Sequence, residues 1–133
     1  MDRHELMVGD WIETLNQNNE VCRVQVNEIQ EKQVSFYHMN HYYLGASYAN
    51  VEPILLTEDI LLKNDFILDK EWDEYRINLD KIYFSIQYTD RKESYFITIT
   101  TYLEFINIKY VHELQHILRL CGLTEMANDF KIE

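Results

Sequence analysis

Two segments rich in β-forming residues constrain the fold of this chain more than any other feature of its sequence. They are IYFSIQY (82–88) and SYFITIT (94–100), and only the five residues TDRKE separate them. A connection of that length is typical of a hairpin between antiparallel strands. YLEFINI (102–108) has a similar composition and is a candidate third strand. We therefore predict an antiparallel hairpin sheet in the second half of the chain.

The first part of the chain also has the pattern of β-structure. In EVCRVQVNEI (20–29), polar and apolar residues alternate with the two-residue period of a strand. VGDWIET (8–14) and VSFYHM (34–39) add further strands, whereas NHYYLGASYAN (40–50) mixes tyrosines with Asn, Gly and Ser and is predicted to be a long loop. We predict an SH3-like β-meander, or half-barrel, in a first lobe of residues 1–55.

Two helices are indicated by their ends. Thr57 is a typical N-cap ahead of acidic residues that complement the positive end of a helix dipole, so we predict a short central helix over 58–64. A longer helix is expected to start near Tyr110 and to stop at Gly122, a natural residue for the end of a helix. The predicted class is α+β, with the C-terminal helix packed on the hairpin sheet in a second lobe of residues 56–133. A single compact domain is the alternative.

The composition excludes some classes of function. With 47% hydrophobic and 14% aromatic residues, the chain has the composition of a folded protein. Its formal net charge of −11 at pH 7 opposes binding to nucleic-acid backbones, which depends on Lys and Arg. No stretch approaches the roughly 18 apolar residues of a membrane span, and the N-terminus lacks the apolar region of a signal peptide. We expect a cytoplasmic protein that binds neither nucleic acid nor membrane directly.

One motif indicates a specific chemistry. HELQH (112–116) matches the HExxH signature of zinc metalloproteases. In that signature two histidines one helical turn apart hold zinc, and the glutamate beside them activates the water on the metal. His112 and His116 would be the ligands here, and Glu113 would be the base.

The surroundings of the motif argue against zinc. On a helical projection, His112 and His116 lie roughly 160° from the centre of the apolar stripe, so we expect both histidines on a polar face in water. In the extended form of the signature, Arg119 occupies the position of a Gly, and Gly122 that of the third His. We therefore predict no catalytic residue, no metal and no cofactor. The alternative is a minimal zinc hydrolase that uses His112, His116 and Glu113.

Three segments carry a resemblance to other proteins: ELMVGDWIE, VEPILLTEDILLKNDF and IKYVHELQHILRLCGLTEMANDFKIE. They resemble a group of proteins of unknown function from Bacteroides-type gut bacteria and their phages or mobile elements. The pattern in that group reads LRIGN-x-V, then VEPIPLTEEILLKNGF, then YVHQLQHxLRLCGLxELAxxF. The resemblance implies no activity or ligand. It does imply that Gln is common at position 113, so that Glu113 completes HExxH by chance.

Aromatic residues in polar surroundings form the candidate interaction surface. Tyrosines interleaved with Ser, Asn and Gly are typical of binding loops, because Tyr supplies contact area at a low cost in entropy. The alternative is that about half of these tyrosines cap the core of the barrel. A tryptophan in the acidic stretch LDKEWDEYRINLD (68–80), predicted to be a solvated connector, completes the set. The candidate residues are Tyr37, Tyr42, Tyr43, Tyr48 and Trp72.

The sequence as a whole favours a non-enzymatic protein-interaction module, accessory to a phage or mobile element, whose partner is another protein. Two other functions stay open. One is the minimal zinc hydrolase. The other is an acidic decoy that imitates DNA and occupies a DNA-binding protein, as the charge of −11 would permit.

Overall fold

The structure, a computed structural model, describes residues 1–15, 18–38, 42–79, 82–90, 93–99 and 104–133, with the side chains of residues 38, 42–44, 104 and 105 excepted. The strands are β1 (Trp11–Leu15), β2 (Val21–Gln25), β3 (Glu28–Ile29), β4 (Gln33–His38), β5 (Tyr42–Ser47), β6 (Val51–Pro53), β7 (Ile67–Asp69), β8 (Glu74–Leu79), β9 (Ile82–Thr89), β10 (Ser94–Ile99) and β11 (Glu104–Ile108). The helices are α1 (Glu58–Lys63), α2 (Val111–Leu120) and α3 (Thr124–Asn128), with short 3-10 turns at Arg3–Glu5 and Tyr48–Asn50.

The chain divides into two compact units. The N-terminal unit comprises Met1–Leu55 and Tyr110–Phe130, and the C-terminal unit comprises Leu56–Lys109 and Lys131–Glu133. The sequence predicts a lobe of residues 1–55 and assigns everything after it to a second lobe. In the structure, α2 and α3 instead belong to the N-terminal unit, because they contact β1 and the residues before it.

The N-terminal unit contains two three-stranded antiparallel sheets. In the first, β1 lies between β2 and β6, and in the second, β4 lies between β3 and β5. The alternation predicted for residues 20–29 is confirmed, because Val24 and Val26 are buried while Val21 and Arg23 are exposed. The α+β class is confirmed too, but the sheets of the described residues do not close into a barrel. The core of this unit consists of Leu6, Ile12, Val24, Val26, Val34, Phe36, Ala46 and Val51.

The long loop predicted for residues 40–50 is wrong over most of its described length. Strand β5 (Tyr42–Ser47) pairs with β4 residue by residue, from Gln33 opposite Ser47 to Tyr37 opposite Tyr43. Asn, Gly and Ser favour loops locally, but Tyr is a strong β-former and β4 offers an edge for pairing. The tertiary partner therefore decides the structure of this segment.

The C-terminal unit is built on one five-stranded antiparallel sheet, in the order β11-β10-β9-β8-β7. The predicted hairpin is confirmed, with Tyr95 opposite Tyr88 and Ile97 opposite Ile86. The candidate third strand is confirmed as β11, which pairs with β10. Before the sheet, α1 has the predicted N-cap, since the hydroxyl of Thr57 accepts a hydrogen bond from the backbone N of Ile60 at 3.3 Å.

The acidic connector predicted for residues 68–80 is wrong over its described residues 68–79, which belong to the hairpin of β7 and β8. Its register places Ile67 opposite Arg76 and Asp69 opposite Glu74. Within β8 the residues alternate, with Tyr75 buried and Arg76 only partly buried. The many carboxylates hide this period-two pattern, since they occupy the turn and the solvent face of the hairpin.

The surroundings of helix α2 differ from those predicted. His112 is buried, with 6% of its surface exposed, and the His116 side chain is only 22% exposed. The prediction that both histidines lie in water is wrong, because residues 9–11 cover the polar side of the helix and bond to Gln115 and His116. In the described ranges of the chain, no helix combines the length and apolar character that crossing a membrane requires.

Candidate functional site

Each ionisable residue of the HELQH motif makes a contact inside the N-terminal unit. Glu113 Oε1 accepts a hydrogen bond from the backbone N of Tyr110 at 3.0 Å and caps the first turn of α2. His116 Nε2 lies 2.7 Å from Asp10 Oδ2. The buried His112 ring stacks on the Tyr110 ring at a centroid distance of 5.9 Å. The proposed water-activating base therefore has a local structural role.

The two histidines are neighbours, as the motif predicts. Their ring centroids are 5.5 Å apart and the rings are nearly perpendicular, at 76°. Nδ1 of His112 is buried without a hydrogen-bond partner in the described structure, and burial lowers the pKa of this imidazole. Among the described residues, no three His, Cys, Asp or Glu side chains are arranged to hold a metal ion. The described residues thus bring the histidines together without a third ligand.

Asp10 is the charged centre of this region. Its side chain is fully buried, and its carboxylate accepts hydrogen bonds from Arg119 Nη1 at 2.6 Å and from the backbone N of Met7 at 2.7 Å, in addition to its contact with His116. A buried carboxylate is tolerated only when it is paired and hydrogen-bonded. The three contacts therefore fix the segment before β1 against α2.

Gln115 provides a second set of bonds between the same two elements. Its side chain is fully buried. Its Oε1 accepts from the backbone N of Trp11 at 3.0 Å, and its Nε2 donates to the carbonyl oxygens of Gly9 at 3.0 Å and Ala127 at 2.8 Å. A buried amide with all of these bonds satisfied is a specific orienting contact. Gln115 therefore sets the position of the Trp11 backbone.

Beside this buried network lies an open groove of about 480 Å³, which we call the Trp11–Tyr37 groove. Its lining consists of Val8, Gly9, Trp11, residues 23–27, Tyr37 and Asn128. Val8 and Tyr37 are each 56% exposed, so the groove offers apolar and aromatic surface to solvent. The indole Nε1 of Trp11 donates to the carbonyl oxygen of Phe130 at 2.6 Å, which fixes the ring in place.

Polar groups complete the groove. Gln25 Nε2 donates to the carbonyl oxygens of Gly9 at 3.0 Å and Asn128 at 2.7 Å, which joins two parts of the lining. Arg23 forms an ion pair with Glu13 at 3.0 Å, and its side chain stays 38% exposed. The exposed lining of the groove is therefore mixed, with somewhat more polar than apolar surface.

The structure describes the side chains of three of the five candidate interaction residues. Tyr37 lines the groove. Tyr48 is half-buried against the core, and its hydroxyl donates to the carbonyl oxygens of residues 30 and 33. The side chains of Tyr42 and Tyr43 lie outside the described residues. Trp72 belongs to the C-terminal unit, where it is 63% exposed at the turn between β7 and β8.

Sequence reasoning missed most of the groove. Trp11 carries a usable signal, because a tryptophan directly after a Gly-Asp turn at the start of a strand is placed near a loop edge. Arg23 belongs to the polar side of an alternating strand, a position that by itself does not distinguish a groove from open solvent. Asn128 and Gln115 lie more than 100 residues from the strands they meet. No local pattern indicates such contacts.

Comparison with protein-family models, with characterised proteins and with solved structures found no match for this chain. Its function therefore has to be inferred from the geometry of the two units.

Proposed function

We propose that this protein is a non-enzymatic binding module whose N-terminal unit takes an extended segment of another protein into the Trp11–Tyr37 groove. The observation that carries the proposal is the groove itself, about 480 Å³ in volume, with one fixed and one exposed aromatic ring in its lining. This volume lies within the range of roughly 300–1,000 Å³ that is usual for ligand sites. An SH3-like half-barrel is the arrangement of the antiparallel meander that we propose for this unit.

Fixed aromatic rings favour binding because little side-chain entropy is lost when a partner contacts them. Trp and Tyr are enriched among the residues that dominate binding energies for this reason. The Trp11 indole is held by Phe130, and its backbone by Gln115. The buried bonds of α2 thus prepare one side of the groove before a partner arrives.

An extended segment fits the position of the groove in the sheet. Residues 23–25, which line it, belong to β2, an outer strand of its sheet. Outer strands commonly bind extended peptides, whose side chains then enter pockets beside the strand. The acidity of the chain, −11 in formal charge, favours a basic or neutral segment over an acidic one. The resemblance to proteins of phages and mobile elements supports a role as an accessory of such an element.

The geometry gives no comparable support to the zinc hydrolase. Its base would be Glu113, whose carboxylate caps α2, and its ligand His116 is engaged by the buried Asp10. Displacing these contacts would break the network that positions the groove. Binding of metal by His112 and His116 is tested directly by the metal content of the purified protein.

The binding proposal is tested by selecting a library of random short peptides for binding to the intact chain. We expect selected peptides to contain apolar residues together with Lys or Arg. Tyr37→Ala should weaken their binding by about thirty-fold, the effect of losing about 2 kcal/mol at a central aromatic residue. Tyr88→Ala is the matched control, because Tyr88 is 44% exposed in the other unit. A selection in which no peptide binds Tyr37→Ala more weakly than wild type would contradict the proposal.

A further inference from the structure

The C-terminal unit presents an edge strand with unusual exposure. Strand β7 (Ile67–Asp69) is the outermost strand of its sheet and is paired only with β8 among the described strands. Ile67 is 72% exposed and Leu68 is 36% exposed. An open edge can pair with another chain, and proteins usually protect such edges with a very short strand, Lys, Pro or a bulge. Strand β7 is short, with three residues. No Lys or Pro lies within β7.

The turn after this strand carries another exposed apolar side chain. Trp72 is 63% exposed, although the Asp69 carboxylate accepts hydrogen bonds from the backbone N of Glu71 at 3.0 Å and of Trp72 at 3.4 Å. The indole is thus exposed on a turn that has defined hydrogen bonds. Ile67 and Trp72 are therefore large apolar side chains that a partner can reach, one on the edge strand and one on the turn that follows it.

Ion pairs hold the hairpin of β7 and β8 together. Arg76 contacts Asp69 at 2.8 Å and Glu74 at 2.5 Å, and its guanidinium lies 5.6 Å from the centre of the Tyr83 ring. Ser85 donates to the second oxygen of Glu74 at 2.5 Å. These contacts compensate Asp69 and Glu74 within the fold and connect β7, β8 and β9. A partner strand would therefore meet a preformed edge.

The exposed charged residues near β7 favour a partner of a particular charge. Asp65, Glu71 and Asp73 are exposed acidic residues, and Lys70 is the exposed basic residue among residues 65–74. A second copy of this chain would bring two such acidic turns together, and each copy has a formal charge of −11. Like charges opposed across an interface disfavour association. A segment with Lys or Arg complements them.

We propose that the β7 edge surface, defined as Ile67, Leu68, Glu71, Trp72 and Asp73, binds a basic extended segment of another protein as an added strand. The backbone of the segment pairs with β7. Its apolar side chains contact Ile67 and Trp72, and its Lys or Arg side chains face Glu71 and Asp73. This surface lies in the C-terminal unit and does not depend on the Trp11–Tyr37 groove.

The test uses a synthetic peptide of alternating Val and Lys as the probe, with an alternating Val and Glu peptide for comparison. Binding is followed by the amide hydrogen exchange of β7 and by titration of backbone chemical shifts. We expect the Val-Lys peptide to slow exchange in β7 and to bind at least about ten-fold more tightly than the Val-Glu peptide.

Ile67→Lys should weaken binding of the Val-Lys peptide by about ten-fold, through loss of apolar contact and added repulsion. Leu15→Lys is the matched control, since Leu15 is an aliphatic residue, 51% exposed, on a strand of the other unit. The double variant Glu71→Gln, Asp73→Asn tests the contribution of the acidic residues to binding independently, and it leaves the residues of β7 unchanged.

Two results would overturn the proposal. Equal binding to Ile67→Lys and Leu15→Lys, with shifts spread over all acidic surfaces, would show attraction by net charge alone. Self-association of the wild-type chain that disappears in Ile67→Lys would show that the edge pairs with a second copy. A failed Tyr37→Ala test leaves this inference unaffected, because the two variants lie in different units.

Discussion

The two candidate binding surfaces of this chain, one in each unit, differ in the side chains found at them. In the N-terminal unit, Asp10, His112 and Gln115 are buried next to the groove. In the C-terminal unit, Ile67 and Trp72 are exposed at the edge of the sheet. A buried polar group costs free energy unless the fold supplies its bonds, whereas an exposed apolar group keeps its surface for a partner. In the N-terminal unit, Glu113 and His116 of the HELQH motif make contacts within the fold, whereas the hairpin of β7 and β8 exposes apolar side chains.

The largest effect on stability is expected when the buried charge of Asp10 is removed. Asp10→Ala leaves Arg119 and His116 without their carboxylate, and we expect the free energy of unfolding to fall by about 3–5 kcal/mol. Denaturation by urea measures the change. Asp129→Ala, at an exposed residue of the same unit, should change stability by less than about 0.5 kcal/mol. Equal effects of the two variants would show that the Asp10 network contributes little.

Removal of the buried amide of Gln115 should have the next largest effect on stability. Gln115→Leu leaves the Trp11 backbone N and the Ala127 carbonyl unpaired, while the Gly9 carbonyl keeps its bond from Gln25. We expect a loss of about 3 kcal/mol, since each unpaired buried group costs about 1–3 kcal/mol. Gln87→Leu, at an exposed position of β9, is the control for the change in side chain. A loss below about 1 kcal/mol would mean that water replaces the amide.

A smaller effect should appear as a pH dependence of stability. Burial lowers the pKa of His112 below its ordinary value of 6.5, although the carboxylates of Asp10, Glu113 and Glu5 act in the opposite direction. The unfolded chain therefore binds a proton at this residue more readily than the folded chain. The stabilising contribution is fully present above pH 6.5 and is lost as the pH falls toward the lowered pKa in the folded state.

Unfolding by urea at a series of pH values measures this contribution. The series runs between about pH 8 and pH 5, so that it spans the ordinary pKa of an imidazole. His112→Gln should flatten the loss of stability at acidic pH, because glutamine does not titrate. His4→Gln is the control, since His4 is exposed. An unchanged slope in His112→Gln would assign the acid sensitivity to other groups.

The smallest effect on stability should come from the exposed edge. Trp72→Ala and Ile67→Lys should each change the free energy of unfolding by less than about 0.5 kcal/mol, because neither side chain is buried. Ile86→Ala, at a fully buried residue of the same sheet, should cost about 2–5 kcal/mol. A large loss of stability in Trp72→Ala would show that the indole packs within the fold and would weaken its assignment to a binding surface.

Much of the fold could be predicted because its signals are local. The N-cap at Thr57, the pairing of β9 with β10 and the alternation in residues 20–29 each depend on neighbours in the chain. The failures also have a common cause. Strand β5 has loop-forming residues, and β7 with β8 lies in an acidic stretch, so each becomes a strand only because a partner strand is available.

The sequence by itself determined the α+β class, the main strands and helices, and the pairing of His112 with His116 on one helix, because periodicity and capping act over a few residues. Only the tertiary structure decided that His112 is buried and His116 largely covered, since Asp10, about a hundred residues earlier in the chain, contacts His116. It likewise decided the Trp11–Tyr37 groove, which joins residues from β1, β2, β4 and α3. A side chain's partners across such separations depend on how whole elements pack, and no local pattern of residues encodes that packing.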